Sequence, residues 1–146
     1  MTAAENVALL TRWYREVWRE GKDQTIYELL APDASLRGQI APDVEVRGPE
    51  EFVGFAQRIR ASFPAREVTL EDVFAVDDKV AARWVAIGTH AGDGLGVPPT
   101  GKRVQITGIT IAHFVNGKVV RGGAPHFWLL LREVGIETNR LLSGRA

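Results

Sequence analysis

Three histidines, His90, His113 and His126, are the only side chains in the 146 residues whose ordinary pKa lies near neutrality. Cysteine is absent, which excludes thiolate nucleophiles, disulfides and thiolate-held metals. The histidines show neither H-x-H nor H-E-x-x-H spacing, so no metal site is expected. His126 stands out by its setting. It sits in GGAPHFWLLLREVG, Gly122 to Gly135, an apolar run opened by Gly-Gly-Ala-Pro. A buried spacer, a surface residue and the acid–base group of an active site are all open readings.

Trp84 and His90 lie an even number of residues apart, so on a regular strand both face one side, with Val80, Ala82, Ala86 and Gly88. That face reads either as core packing with a loop-edge histidine, or as a cavity wall with an aromatic platform and a polar handle. Thr110 is a polar position on the next apolar stretch, and His113 falls on the opposite face, as an exposed or interface histidine. Arg37, in ASLRGQ, is a solvated side chain between a helix and a loop unless a cavity recruits it as a cation for an enolate or carboxylate. Trp13, Tyr14 and Trp18 read as core.

GVPPTGK, Gly96 to Lys102, has the spacing of a phosphate-binding loop but not its chemistry. Arg103 stands where a magnesium-ligating hydroxyl belongs, Pro98 and Pro99 lack N–H donors, and a strand rather than a helix follows. Nucleotide binding is not expected.

The elements that must position these residues are legible in the patterning. Thr2 and Glu5 fit a capping box, and Val7, Leu10, Trp13, Tyr14, Val17 and Trp18 form the stripe of a helix ending near Gly21. A second helix is predicted from Gln24 to Ala31, stopped by Pro32. A third starts at Pro49 and carries Phe52, Phe55, Ala56, Ile59 and Phe63 up to Pro64. Strands follow: Val68 and Leu70 then Val73 to Val76, Val80 to His90, Arg103 to Phe114, and Val119 onward, broken by Gly122-Gly123. Asp77-Asp78 and Asn116-Gly117 mark hairpin turns, and Ala91 to Gly101 is a loop. Phe127 to Val134 reads as a short helical or extended cap. Helices first and hairpin-linked strands after give an α+β fold. Helices pack on a strongly bent, mainly antiparallel sheet that encloses a pocket, all in one domain over residues 1–146. Lys plus Arg and Asp plus Glu each number 18, which argues against nucleic acid as a main partner and favours self-association. Neither a membrane-length apolar run nor a signal-peptide pattern is present in the sequence, so the expected location is cytoplasmic.

The segments LLAPDASLRG, RGPEEFVGFAQRIRASFPA, DDKVAARWVAIGTHAGDGLGVPPTGKRV, FVNGKVV and LLLREVG resemble a SnoaL-like polyketide cyclase. This family lies in the cone-shaped superfamily of ketosteroid isomerase, limonene epoxide hydrolase and nuclear transport factor two. The resemblance implies three helices closing a deep pocket, a homodimer packed through the sheet, and no metal or organic cofactor. It also implies an acid–base aspartate nine residues before the glycine of a Gln-Leu-Gly ending. Nine residues before Gly135 stands His126, and Glu133 replaces the glutamine. Arg121 and Gly122-Gly123-Ala124-Pro125 also depart from the pattern beside it.

A histidine can do the same proton work, with the difference that a neutral base becomes a cation. The implied activity is that of a cofactor-independent cyclase or isomerase acting on an apolar oxygenated, polyketide-like molecule. His126 is its acid–base group, and Trp84, His90, Arg37 and Thr110 are pocket groups. Ring closure follows the aldol route or has moved to a cycloaddition or epoxide-opening cyclisation that relies on positioning. The reading from another class is a non-catalytic binding or dimerisation module on the same fold.

Overall fold

The computed structural model describes residues 1–39, 44–123, 131–132 and 134–135. Helix α1, Ala3–Trp13, starts at the expected capping box: Thr2 Oγ1 accepts from Glu5 N at 3.1 Å, and Thr2 N donates to Glu5 at 3.1 Å. The helix then widens into a π-helical segment, Tyr14–Arg19. The wider turn brings Glu16 inside together with Tyr14, Val17 and Trp18, a burial that regular 3.6-residue spacing does not anticipate.

Helix α2, Asp23–Leu29, ends earlier than expected, and Pro32 lies inside strand β1, Leu30–Arg37, rather than stopping a helix. The reason is local. Pairing of β1 is irregular between Leu30 and Ser35, so the missing proline N–H costs no ladder bond. Strand β2, Glu45–Arg47, leads into α3, Gly48–Ser62, with Pro49 in its first turn. Then come β3, Arg66–Val76, β4, Lys79–Thr89, β5, Arg103–Val115, and β6, Lys118–Gly123. A bulge between Leu70 and Asp72 explains why the apolar alternation of β3 changes phase in mid-strand. Asn116 and Gly117 take the positive φ of 50° and 79° that their turn requires.

The sheet order is β2-β1-β6-β5-β4-β3, antiparallel except where β1 runs parallel to β6. Gly122-Gly123 does not break β6. It lets β6 reach β1: a Cβ on Gly123 would stand 2.0 Å from the Arg37 carbonyl oxygen, at a φ of 141° that disfavours any side chain. Three helices pack against this six-stranded sheet, as the α+β reading expects. Their aromatic contact is a cluster in which Phe52 lies 5.0 Å from Trp13 and 5.9 Å from Trp18, ring centre to ring centre.

Glu16 is tied into this layer by Thr25 Oγ1 at 2.6 Å, Arg12 Nε at 2.7 Å and Arg15 Nη2 at 3.2 Å. The Arg12 bond, then the Thr25 bond, pull its carboxyl down to about 2, against the opposing effect of burial. Because the folded value lies below the unfolded one, the stabilisation is fully present above about pH 4.5 and is lost as pH falls toward 2. Glu16→Gln therefore flattens the acid limb of stability in that window, which urea midpoints measured at stepped pH will show.

Candidate functional site

Between the helices and the inner face of the sheet lies a partly open apolar cavity of about 100 Å³. Its walls include Trp13, Phe52 and Phe63 from the helix side, and Trp84, Val104 and Ala112 from the sheet. A benzene-binding cavity is about 150 Å³, so this smaller volume accepts a stretch of chain or a ring that reaches into the opening. A larger fused-ring ligand has to extend through the opening or displace wall side chains.

Among the described residues, one polar node interrupts the sheet-side wall. Thr110 Oγ1 accepts a hydrogen bond from Trp84 Nε1 at 3.1 Å and lies 2.5 Å from the Tyr14 hydroxyl. Trp84 fits there because the residue across from it on β5 is Gly108, where a Cβ would stand 2.4 Å from the indole. The three groups hold three donor hydrogens. One is used by Trp84 on Thr110 and one between the two hydroxyls, which leaves one O–H to spare whichever hydroxyl donates. Tyr14 and Thr110 both line the cavity, so this hydrogen is available to a ligand oxygen. Burial raises the Tyr14 phenol far above its usual value, with Thr110 opposing, and Tyr14 stays a neutral donor.

Gln39 is the second polar wall group, and its buried Oε1 has no partner among the described residues. Arg66 is the one charged side chain among the described lining residues. None of Tyr14, Gln39 and Arg66 is singled out by the sequence. The signal available for Tyr14 is its polar tip on an apolar stripe. For Gln39 and Arg66 the sequence offers none, because only the folded chain brings them to one cavity.

The structure brings Trp84 and Thr110 together as neighbours on adjacent strands. It does not bring Arg37 or His90 to the same wall. Arg37 closes β1 as an exposed residue and is absent from the described cavity lining. Alternation along β1 turns Leu36 inward and the Arg37 side chain outward to solvent. His90 is fully buried, but in the joint between the β4–β5 loop and α3. Its Nδ1 accepts from Thr100 N at 3.2 Å and lies 3.0 Å from Thr100 Oγ1, with the Phe63 ring 5.6 Å away. Beside it, Ala91 N and Gly92 N donate to Ser62 O, which fastens the loop. His113 is half-buried on the outer face, 3.4 Å from Arg121. Burial, then Arg121, lowers its pKa, which keeps it neutral near pH 7. His126 lies outside the described residues. The residues Gly96 to Lys102 join two strands, which removes the helix N-terminus a phosphate loop needs. Among the described residues no cluster of three metal-ligating side chains occurs, and no helix is long and apolar enough to cross a membrane.

The family model for SnoaL-like polyketide cyclases matches residues 8–123. The chain belongs to this family. The aklanonic acid methyl ester cyclase AcmA of Streptomyces galilaeus is 30% identical over 118 residues, 80% of each chain. The nogalonic acid methyl ester cyclase of Streptomyces nogalater is 28% identical over 119 residues, 79% of this chain and 87% of that one. A solved SnoaL-like polyketide cyclase structure from Jannaschia sp. CCS1 superposes with a TM-score of 0.79 at 25% identity, covering 90% of this chain and 92% of that one. The fold is that of nuclear transport factor two-like proteins, and the SnoaL-like match spans Tyr14, Arg66, Trp84 and Thr110 but ends before His126.

Thr110→Val keeps the shape of the wall while removing the hydroxyl that Trp84 Nε1 donates to and that meets the Tyr14 hydroxyl. The expected cost is about 1–3 kcal/mol of stability. Denaturant unfolding of wild type and variant checks it, with Thr110→Ser, which keeps the accepting hydroxyl, retaining most of the wild-type stability.

Proposed function

We propose that this SnoaL-like chain is a cofactor-independent cyclase of natural-product biosynthesis that closes a ring in an apolar, oxygenated, polyketide-type substrate. The observation that carries the reading is the spare O–H of the Tyr14–Thr110–Trp84 node in an otherwise apolar wall. A hydrogen-bond donor fixed in a low-dielectric cavity stabilises oxygen charge as it develops on a reacting carbonyl. Gln39 Oε1 supplies the complementary acceptor for a substrate hydroxyl. In the aldol form of the reaction a base takes the proton α to one carbonyl. The resulting enolate carbon attacks a second carbonyl, and the new alkoxide takes a proton. His126 is proposed as the group that removes and returns that proton, in the position where the family resemblance implies aspartate. A cycloaddition or epoxide opening would use the same cavity mainly for positioning.

The names of the two curated cyclases supply the first probes. Aklanonic acid methyl ester or nogalonic acid methyl ester, incubated with the chain and a metal chelator, is expected to give a ring-closed isomer, separated by chromatography at unchanged mass. Tyr14→Phe is expected to lower kcat roughly 10²-fold, as for removal of one oxyanion donor. His126→Ala is expected to lower it about 10²–10⁴-fold. Full turnover in His126→Ala would remove the role assigned to that residue. Tight binding of both esters without any turnover would favour the binding-module reading instead.

The outer face of the sheet supports a homodimer packed through it. Phe74, Ala81 and Ile111 pair in a row across β3, β4 and β5, with Phe74 61% and Ile111 49% exposed, and Ile109 beside them 54% exposed. So apolar a row on a chain of zero net charge fits a second copy of the same surface. Sedimentation is expected to give twice the chain mass for wild type and the monomer for Ile111→Glu, with the melting temperature of the variant's monomer read alongside to confirm folding.

A further inference from the structure

The cavity continues outward into a groove between the α1–π-helix segment and β3, and Tyr14, Arg66 and Val68 line both. Arg66 therefore stands at the mouth, between an apolar interior and the surface. Its guanidinium has five N–H donors. Nε donates to Trp18 O at 2.5 Å and Nη1 to Phe63 O at 3.2 Å. These two bonds fix the group in place by capping the ends of two helical segments. Three N–H donors, two on Nη2 and one on Nη1, have no partner among the described residues.

Among the described residues no carboxylate neutralises this charge. The neighbouring Arg60 is paired with Asp23, and Glu20, in the groove, is paired with Arg15 and Lys22. Glu67 faces the same groove without coming within ion-pair distance of Arg66. Gly88, across the β3–β4 pair from Arg66, brings no side chain of its own to that place. A half-buried guanidinium held by two backbone carbonyls, with three donors left toward the groove and no carboxylate on it among the described residues, is placed to take a ligand anion. The donors left on Nη1 and Nη2 can form charge-assisted hydrogen bonds to a carboxylate.

We propose that Arg66 is a specificity-determining residue that selects a substrate carrying a free carboxylate, with the apolar ring portion in the cavity and the carboxylate on the guanidinium at the mouth. This rests on the cavity being the substrate site, as in the cyclase reading, and adds a distinction from the methyl esters that the curated relatives are named for. An ester has lost both the charge and the second equivalent oxygen, so it cannot form the charge-assisted pair.

The test is binding, kept separate from turnover. Titration calorimetry of the full chain compares 2-naphthoate with methyl 2-naphthoate, probes of one shape that differ in charge. Wild type is expected to bind the acid at least about tenfold more tightly than the ester, with the preference shrinking as salt rises. Arg66→Gln is expected to bring the two affinities to within about twofold while leaving ester affinity unchanged. Arg66→Lys, which keeps the charge but loses the fork, is expected to retain part of the preference. A purely helix-capping role would change melting temperature in both variants and leave the acid-to-ester ratio alone. Equal binding of the two probes by wild type, a preference for the ester, an unchanged ratio in Arg66→Gln, or no binding of either probe overturns the proposal. Acid-selective binding by a chain that closes no ring would sink the cyclase reading and leave Arg66's role standing. Turnover of the esters with no acid preference would do the reverse.

Discussion

The hydroxyl of Thr110 is where the helical layer and the sheet are joined by hydrogen bonds inside an apolar interior. From one side comes the indole N–H of Trp84 on β4, from the other the phenol of Tyr14 at the start of the π-helical segment. Buried polar groups are costly unless each finds a partner, so these three must meet or the wall is destabilised. Their meeting depends on Gly108 opposite Trp84 and on a helix that changes its winding at Tyr14. Around that joint the remaining contacts are aliphatic and aromatic, and they leave a cavity because flat rings and small residues do not fill the space between the layers.

The same interior separates two kinds of polar chemistry. Glu16 in the helical layer has donors from Arg12, Thr25 and Arg15, and Arg12 pairs with Glu28 as well, so these charges are matched within the protein. Tyr14, Thr110 and Gln39 on the cavity wall retain a spare donor and a spare acceptor, and Arg66 at the mouth retains donors on Nη1 and Nη2 without a partner among the described residues. A satisfied set stabilises; an unsatisfied one costs stability unless a ligand completes it. Asn6 Oδ1 and His90 Nε2 are also buried without a partner among the described residues, and it is the place of Gln39 on the cavity wall that sets it apart from them. His90 belongs with the structural groups by its place: Thr100 holds its Nδ1 in a joint between a loop and α3, away from the described cavity wall.

Membership of the SnoaL-like family accounts for the scaffold more fully than for the chemistry. The two curated cyclases share roughly three residues in ten with this chain, enough to preserve the layered core but not to carry each reacting group across. Departures from the pattern around Gly122 and Gly123 have a plain structural role here, since β6 needs bare backbone to approach β1. What replaces the family aspartate is a separate matter from that backbone requirement, although the two stand within a few residues of each other.

The amino-acid sequence by itself determined the local features: the capping box at Thr2, the proline start of α3, the two hairpin turns and the inward alternation on β4 and β5. Each depends on residues a few positions apart, so its physics is complete in a short window. It also determined that the Gly96–Lys102 spacing was a turn between strands, because the missing hydroxyl and the two prolines are local facts. It misplaced the end of the second helix and read Gly122-Gly123 as a break. In both cases the deciding partner, an irregular β1 ladder or the Arg37 backbone, lies far away along the chain. Only the tertiary structure decided which polar residues share the cavity. It moved Arg37 to the surface and His90 into a loop joint, and it gathered Tyr14, Gln39 and Arg66 from three separate segments. Nothing in those segments marks them, because being unpartnered is a property of the folded surroundings and not of the residue.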